Sequence, residues 1–223
     1  MASEGHVRGY ISARETIDAA RARGLSICDY LESIWSQQGD TRRIIDMMRE
    51  LGVFRSQPDV ICEIGTGSGR YAEKVLQLHR PALYESYEPD RGWAAWLAHS
   101  HGVVSHPVDG RTLRHTRSGS VNLLHAHGVF VYLPFVTSCG YLLEIGRVTA
   151  PGGFAVFDIM SEACFDDATL MRWLKSGDCY PSFLSKEFVL QRMAAHGLAL
   201  IGEFFTRIGC GRSHYLAFEK REA

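Results

Sequence analysis

Several features are missing from this 223-residue sequence, and each absence narrows its function. The six cysteines, at 28, 62, 139, 164, 179 and 210, include no CxxC pair and no zinc-ribbon spacing. That pattern argues against a disulfide scaffold or a clustered thiolate site. It points to reduced thiols, several of them buried as small hydrophobes. Charge of one sign is missing too: 24 Lys and Arg stand against 25 Asp and Glu, a net charge of -1. Nothing here would draw the chain to nucleic acid or to an anionic membrane. No apolar run reaches the ~18 residues that a membrane span needs. The first residues, Met1-Ala2-Ser3-Glu4-Gly5-His6-Val7-Arg8, lack the apolar core of a signal peptide. A cytoplasmic protein without nucleic-acid or membrane partners is expected. There is no internal repeat and no low-complexity segment.

What is present divides in two. Residues 1–55 read as helices throughout and form an N-terminal helical cap or lid. Ser12 and Glu15 make a capping box for a helix reaching Arg23, with Gly24 as its stop. Ser26 caps a second helix, in which Ile27, Tyr30, Leu31, Ile34 and Trp35 share helical spacing and Gly39 is the stop. Asp40 or Thr41 caps a third, with Ile44, Ile45, Met48 and Leu51 on one face and Gly52 at its end. The cap is read either as a packing layer on a sheet or as a lid over a ligand.

From 56 to 223 strands alternate with helices, which predicts an α/β fold with a mainly parallel sheet and helices on both faces. Strands are predicted at 59–64, 82–88, 103–108, 121–126, 154–159, 198–206 and 212–219. Helices are predicted at 69–79, 91–101, from Pro134 to Thr149, near 166–176 and from 185 to 196. Residues 161–184 read as an insertion carrying Phe165, Trp173, Tyr180 and Phe183.

The first strand ends in Glu63-Ile64-Gly65-Thr66-Gly67-Ser68-Gly69-Arg70. Glycines in a strand-to-helix turn let a ligand approach backbone N–H groups. The Gly-Lys-Ser/Thr of a phosphate loop is absent. The spacing is G-x-G-x-G rather than the G-x-G-x-x-G of a dinucleotide fold. A carboxylate at Glu63 would repel a pyrophosphate and suits a cationic amino group or a ribose. Glu88 lies about 20 residues beyond the loop, where an acid takes ribose hydroxyls. Asp109-Gly110 follows the third strand and brings a further acid to the same rim.

This ordered series resembles the motifs of class I S-adenosylmethionine-dependent methyltransferases. It comprises the glycine stretch, Glu88, Asp109-Gly110, the strand 121–125 and Pro151-Gly152-Gly153. The resemblance covers residues 58–160 well and the last two strands in outline. It implies a Rossmann-like, seven-stranded, mostly parallel sheet with a reversed last strand, and S-adenosyl-L-methionine as cofactor. It further implies methionine contacts at Glu63, Gly65, Thr66 and Gly67, ribose contacts at Glu88-Pro89, and adenine near Asp109 and Gly110. Asn122 departs from the family's frequent aspartate at a position that is usually structural.

Methyl transfer from a sulfonium demands orientation, and an acceptor that gives up its proton. The fourth strand ends in His125-Ala126-His127-Gly128. Two histidines at i and i+2 on extended chain project to the same side, and histidine is a natural base near neutral pH. His127 is the candidate base; His125 is a second catalytic candidate that also reaches the cofactor. A structural role in the turn is the competing reading for both. Asp158 and Glu162 end the fifth strand. With His127 they form either a base with its orienting carboxylate, or ligands for Mg2+. The activity expected is O-methylation of a small-molecule hydroxyl. The segments 125–130 and 157–162 look similar to actinobacterial enzymes acting on glycans or secondary metabolites, which favours a carbohydrate acceptor. The alternatives are N-methylation of a small amine or peptide, methylation of a phenol, and a cofactor-binding module without turnover. The Asn/Asp-Pro-Pro-Tyr of base and amide N-methyltransferases is absent after the fourth strand. The sequence is compatible with a homodimer.

Overall fold

Asn122 ties the centre of the sheet together. Its Oδ1 accepts from the N–H groups of Asp59 and Val60, at 3.1 and 2.9 Å. This joins the start of β4 (Val121–Ala126) to that of β1 (Val60–Ile64), and gives Asn122 the structural role its position implied. The computed structural model describes residues 12–177 and 181–222, so Cys179 and Tyr180 lie outside the described residues.

β2 (Leu83–Tyr87) and β3 (Val104–Ser105) flank β1 on one side, and β5 (Thr149–Ile159) follows β4 on the other. These five strands pair in parallel. β7 (Gly211–Lys220) runs antiparallel to β5 and to β6 (Leu198–Ile208), giving the order β3-β2-β1-β4-β5-β7-β6. The sheet is thus seven-stranded and mostly parallel, as expected. The order reverses between β1 and β4, which opens a crevice at their carboxyl ends.

One face of the sheet is covered by α3 (Asp40–Glu50), α4 (Arg70–Leu78) and α5 (Arg91–His101). Ile45, Met48, Val75 and Leu97 meet Ile61, Leu123 and Val156 there. The other face is covered by α6 (Phe135–Val148) and α8 (Lys186–Ala195), where Leu142, Ile145 and Val189 meet Leu124, Phe157 and Leu216. Alternate strand residues therefore serve opposite faces, both apolar.

Three local expectations need correction. β3 has two residues rather than six: beyond it one more bond runs from the His106 N–H to the Ser86 carbonyl. Pro151-Gly152-Gly153 lies inside β5 at a shift of register rather than in a turn before it. A Cβ on Gly153 would sit 2.8 Å from the Val121 carbonyl oxygen, so the shift needs glycine there.

The third correction concerns the N-terminal helices. α1 (Ala13–Ala22) begins on Ser12, whose side chain accepts from the Glu15 N–H, and α2 (Ile27–Trp35) begins on Ser26. α2 ends at Trp35, not Gly39, and it buries Cys28, Leu31 and Glu32 while Ile34 and Trp35 stay exposed. Gly39 instead opens α3, in the left-handed region at φ 89°. The cap of α3 is neither Asp40 nor Thr41. Glu32 reaches across from α2, accepting from the Gly39 N–H at 2.6 Å and the Thr41 N–H at 2.9 Å. Burial works to raise the Glu32 pKa, but the hydrogen bonds it accepts outweigh that and hold the carboxyl below its usual range. α3 belongs to the layer that packs on the sheet, and α1 and α2 lie outside that layer, against α5 and α3 respectively.

Candidate functional site

The glycine turn after β1 uses its three glycines differently. Gly65, Gly67 and Gly69 all lie at positive φ, 65°, 55° and 81°. A Cβ on Gly65 would meet Val129 Cγ2 at 2.6 Å, and one on Gly69 would meet Leu97 Cδ2 at 2.6 Å. Those two glycines are required by packing. A Cβ on Gly67 would meet only a backbone oxygen at 4.0 Å, so that residue borders open space that a ligand could fill.

Glu88 stands over this turn. Its Oε2 accepts from the Gly67 N–H at 2.6 Å and its Oε1 from the Asp90 N–H at 2.8 Å. A carboxylate offers roughly four lone-pair sites, so two remain for ribose hydroxyls. Burial raises its pKa despite those two bonds. Pro89, beside it, is exposed. The Thr66 hydroxyl turns to Ser86 Oγ at 2.8 Å, which leaves its backbone as the part that could face a ligand. Asp109 sits four residues beyond the end of β3, on an exposed turn with Gly110 at φ 82°. The Thr112 hydroxyl and the N–H groups of Arg111 and Thr112 bond it, and the Thr112 side chain leads in holding its pKa down to about 2.

Glu63, His125 and His127 meet on the face of the sheet beneath α4, in a buried polar chain. The Tyr84 hydroxyl lies 2.7 Å from Glu63 Oε2 and 2.9 Å from His125 Nε2. His125 Nδ1 lies 2.9 Å from His127 Nε2, and His127 Nδ1 lies 3.1 Å from the Tyr215 hydroxyl. The pairing of β1 with β2 and β4, and of β5 with β7, sets these groups side by side. Tyr71, at the start of α4, stacks on His127. Its hydroxyl receives Arg70 Nη2 at 3.4 Å and is coupled electrostatically to Tyr215. Arg70 in turn lines a cavity of about 360 Å³ between α1, α2 and the turn. Trp96 presents a buried Nε1 without a partner among the described residues, and its side chain lines the same cavity.

Burial governs the titration of this chain. Glu63, 1% exposed, rises to about 8; His125, wholly buried, falls to about 3; His127 falls well below its usual value. Asp158 rises to about 6 through burial, against a bond from the Gly128 N–H at 2.7 Å that fixes the turn after β4. Both ring nitrogens of His127 are engaged within the protein. It therefore has no free lone pair to offer an acceptor directly, which departs from the expectation of a free base.

The metal expectation fails on geometry. Glu162 points away, accepting from the Ser185 hydroxyl and the Lys186 N–H at the head of α8. Its ligand atoms do not converge with those of Asp158 and His127. Among the described residues the only converging group is Glu63, His125 and His127, with ligand atoms within 4.8 Å of one another. Two imidazoles and one carboxylate, already bonded to one another and to tyrosines, do not fit Mg2+, which demands octahedral oxygen. In the insertion, Trp173 of α7 (Asp167–Ser176) is buried against Val131 and Met160 while Phe183 is exposed, so its aromatic residues are split between core and surface.

A scan against family models and a search of curated proteins both found no match. Solved structures do match. The N-methyltransferase NodS from Bradyrhizobium japonicum WM9 aligns at 16% identity and TM-score 0.61, over 83% of this chain and 99% of that one. An O-methyltransferase family protein from Burkholderia thailandensis aligns at 16% and 0.62, over 94% of this chain and 62% of that one. Geranyl diphosphate C-methyltransferase from Streptomyces coelicolor A3(2) aligns at 12% and 0.61, over 81% and 79%. The chain has the Rossmann-like methyltransferase fold. Since the three acceptor atoms differ, the fold does not select among them.

The sequence missed Tyr71, Tyr84 and Tyr215, and with them the chain that joins Glu63 to the histidines. A signal was present: Glu63, Tyr84, Ser86, His125 and Asp158 are buried polar residues inside strands that are mostly apolar on both faces.

Proposed function

We propose that this protein is an S-adenosyl-L-methionine-dependent methyltransferase, acting on a hydroxyl of a small molecule. The observation that carries the reading is the pairing of open space at Gly67 with the Glu88 carboxylate above it. Backbone at residues 65–67 and the free lone pairs of Glu88 would hold the cofactor, which supplies an electrophilic methyl group on sulfur. The chain's own work is orientation and removal of the acceptor's proton. A hydroxyl acceptor is favoured because the site ends in a connected set of proton-carrying groups. An amine that arrives deprotonated would not need them on the way in. A carbohydrate acceptor in the cytoplasm extends this reading; the net charge of -1 speaks for a small acceptor over nucleic acid. Among the described residues no helix is long and apolar enough to cross a membrane.

Isothermal titration with the cofactor, followed by a methyl-transfer assay against sugars, phenols and small amines, tests the proposal. Binding at micromolar concentration and methylation of a hydroxyl are expected. Absence of cofactor binding would overturn the reading, and preference for an amine would overturn the choice of acceptor atom.

A further inference from the structure

The bonds of the buried chain run in one of two directions when both imidazoles are neutral and the Glu63 proton, where present, sits on Oε2. A neutral ring has one N–H and one bare nitrogen. With Glu63 ionised, the Tyr84 O–H donates to Glu63 Oε2. Tyr84 then accepts from His125 Nε2–H. His125 Nδ1 is bare and accepts from His127 Nε2–H. His127 Nδ1 is bare and accepts from the Tyr215 O–H. Every donor points towards Glu63, across contacts of 2.7, 2.9, 2.9 and 3.1 Å. With Glu63 protonated, its O–H donates to Tyr84 and every bond reverses. Both rings then carry their proton on Nδ1, and His127 donates to Tyr215. The two arrangements differ by one proton, and each leaves no member of the chain without a partner.

We propose that Tyr215, His127, His125 and Tyr84 form a proton relay that carries the acceptor's proton to Glu63. This rests on the methyl-transfer reading. Beyond the Tyr215 end of the relay lies Tyr71, coupled to Tyr215 and receiving Arg70 Nη2 at 3.4 Å, and Arg70 lines the cavity. The acceptor O–H bond breaks, and its electron pair stays on the oxygen that bonds the methyl carbon. Tyr71 takes the proton and passes its own to Tyr215. One proton then moves across each of the four contacts, and a new O–H forms on Glu63. Both histidines exchange tautomer and neither gains a charge. That matters because an imidazolium in this place would be costly: His125 is 0% exposed and His127 8%. After product leaves, the proton returns along the same four contacts through Tyr71 to solvent water in the cavity, which restores the Glu63 carboxylate for the next turnover.

The groups facing Glu63 are Tyr84 on β2, His125 on β4, His127 just beyond it, Glu88 beyond β2, and Arg70 and Tyr71 at the head of α4. Asp158 faces the Tyr215 end. Burial places Glu63 near 8, so its ionisation is open to experiment in the folded protein.

The test is nitrogen-15 NMR of the histidine rings in the protein without cofactor, from pH 6 to 10. His125 and His127 should both change from the Nδ1–H to the Nε2–H tautomer, with one shared midpoint near 8. Tyr84→Phe removes the hydroxyl joining His125 to Glu63 and should abolish the shared midpoint. If that variant does not fold, Glu63→Gln, which has no carboxyl to titrate, should leave both tautomers independent of pH. In the assay, Tyr84→Phe should lower kcat at least tenfold with cofactor Kd unchanged. Tautomers that stay fixed in the wild type, that change at separate midpoints, or that follow a stoichiometric bound metal would overturn the relay. None of these NMR results needs methyl transfer, so a protein that methylates with fixed tautomers refutes the relay alone. One that switches but binds no cofactor refutes the functional reading instead.

Discussion

Tyr71 lies flat on His127, with ring centroids 3.7 Å apart and planes 14° from parallel. Through this contact the first turn of α4 holds the orientation of the histidine that follows β4, and so joins the glycine turn to the polar chain. The ring and the hydroxyl of Tyr71 do separate jobs. Tyr71→Phe keeps the stack and should change stability by no more than about 1.5 kcal/mol, the scale of one hydrogen bond. Its turnover should fall while cofactor affinity holds. Tyr71→Ala should cost ~3–5 kcal/mol from the cavity it leaves. Urea unfolding of the two variants, beside a turnover assay, checks the division; equal stability losses would contradict it.

Stability should peak on the acid side of neutrality. Glu63 rises from 4.5 to about 8 and Asp158 from 3.8 to about 6 on folding, through burial. A raised pKa contributes stability that is complete below the unfolded value and is lost as pH climbs through the folded one. Glu63 therefore weakens the fold between 4.5 and about 8. His125, lowered from 6.5 to about 3, does the opposite: its contribution is present above 6.5 and is lost as pH falls. His127 is lowered in the same way, so between 4.5 and about 6 the two histidines offset the two carboxyls, and the maximum of Tm should lie near 6.5, above which Glu63 acts unopposed. The alkaline loss is on the order of a few kcal/mol. Calorimetry from pH 4 to 9 should show it, and Glu63→Gln should flatten the alkaline side. A Tm that keeps rising to pH 9 would refute this.

Gly65→Ala and Gly67→Ala should fail in different ways. Both force a non-glycine residue into the left-handed region, which costs about 1–2 kcal/mol. Gly65→Ala adds a clash with Val129 and should lose a further ~1–3 kcal/mol. Gly67→Ala meets open space, so its effect should fall on cofactor affinity, by tenfold or more. Thermal melts and cofactor titration of the pair decide the matter; equal cofactor affinity in Gly67→Ala and wild type would remove that residue from the binding surface.

Glu88→Ala should weaken cofactor binding by a factor on the order of 100, from loss of hydrogen bonds to a charged group worth ~1.5–3 kcal/mol apiece. The same substitution leaves the Gly67 N–H without its acceptor. Glu88→Gln keeps that acceptor and should restore the Tm while recovering affinity only in part. An unchanged Kd in Glu88→Ala would contradict the ribose assignment.

The glycine turn, the acid at Glu88 and the alternation of strands and helices were legible because each is local. Spacing along a few residues decides them. The histidines at i and i+2 were legible for the same reason, and they do project to one side. Their partners were not. Tyr215 is 88 residues from His127, and Tyr84 is 41 from His125. Strand order and register bring them together, and no short pattern encodes either. The end of the third strand was not legible: it stops at Ser105, so Asp109 lies on a turn of its own rather than at the strand end. Gly39 misled because glycine ends helices more often than it begins them, while here a carboxylate from the preceding helix fills the role of the capping side chain.

That carboxylate bears on how the molecule can open. Glu32 rides on α2, outside the packed layer, yet the N–H groups it holds belong to α3, which lies in the core. Any swing of α2 away from the cavity would strip the head of α3 of its acceptor, so the placing of α2 and the integrity of the core draw on the same pair of contacts. A protein trimmed to begin at residue 56 would lose more than a removable cover: it would lose Ile45 and Met48 from beneath the sheet, and should collect in the insoluble fraction. An opening motion that spares the fold has its natural pivot upstream of Glu32, at the junction of α1 and α2, where Gly24 already adopts a left-handed turn.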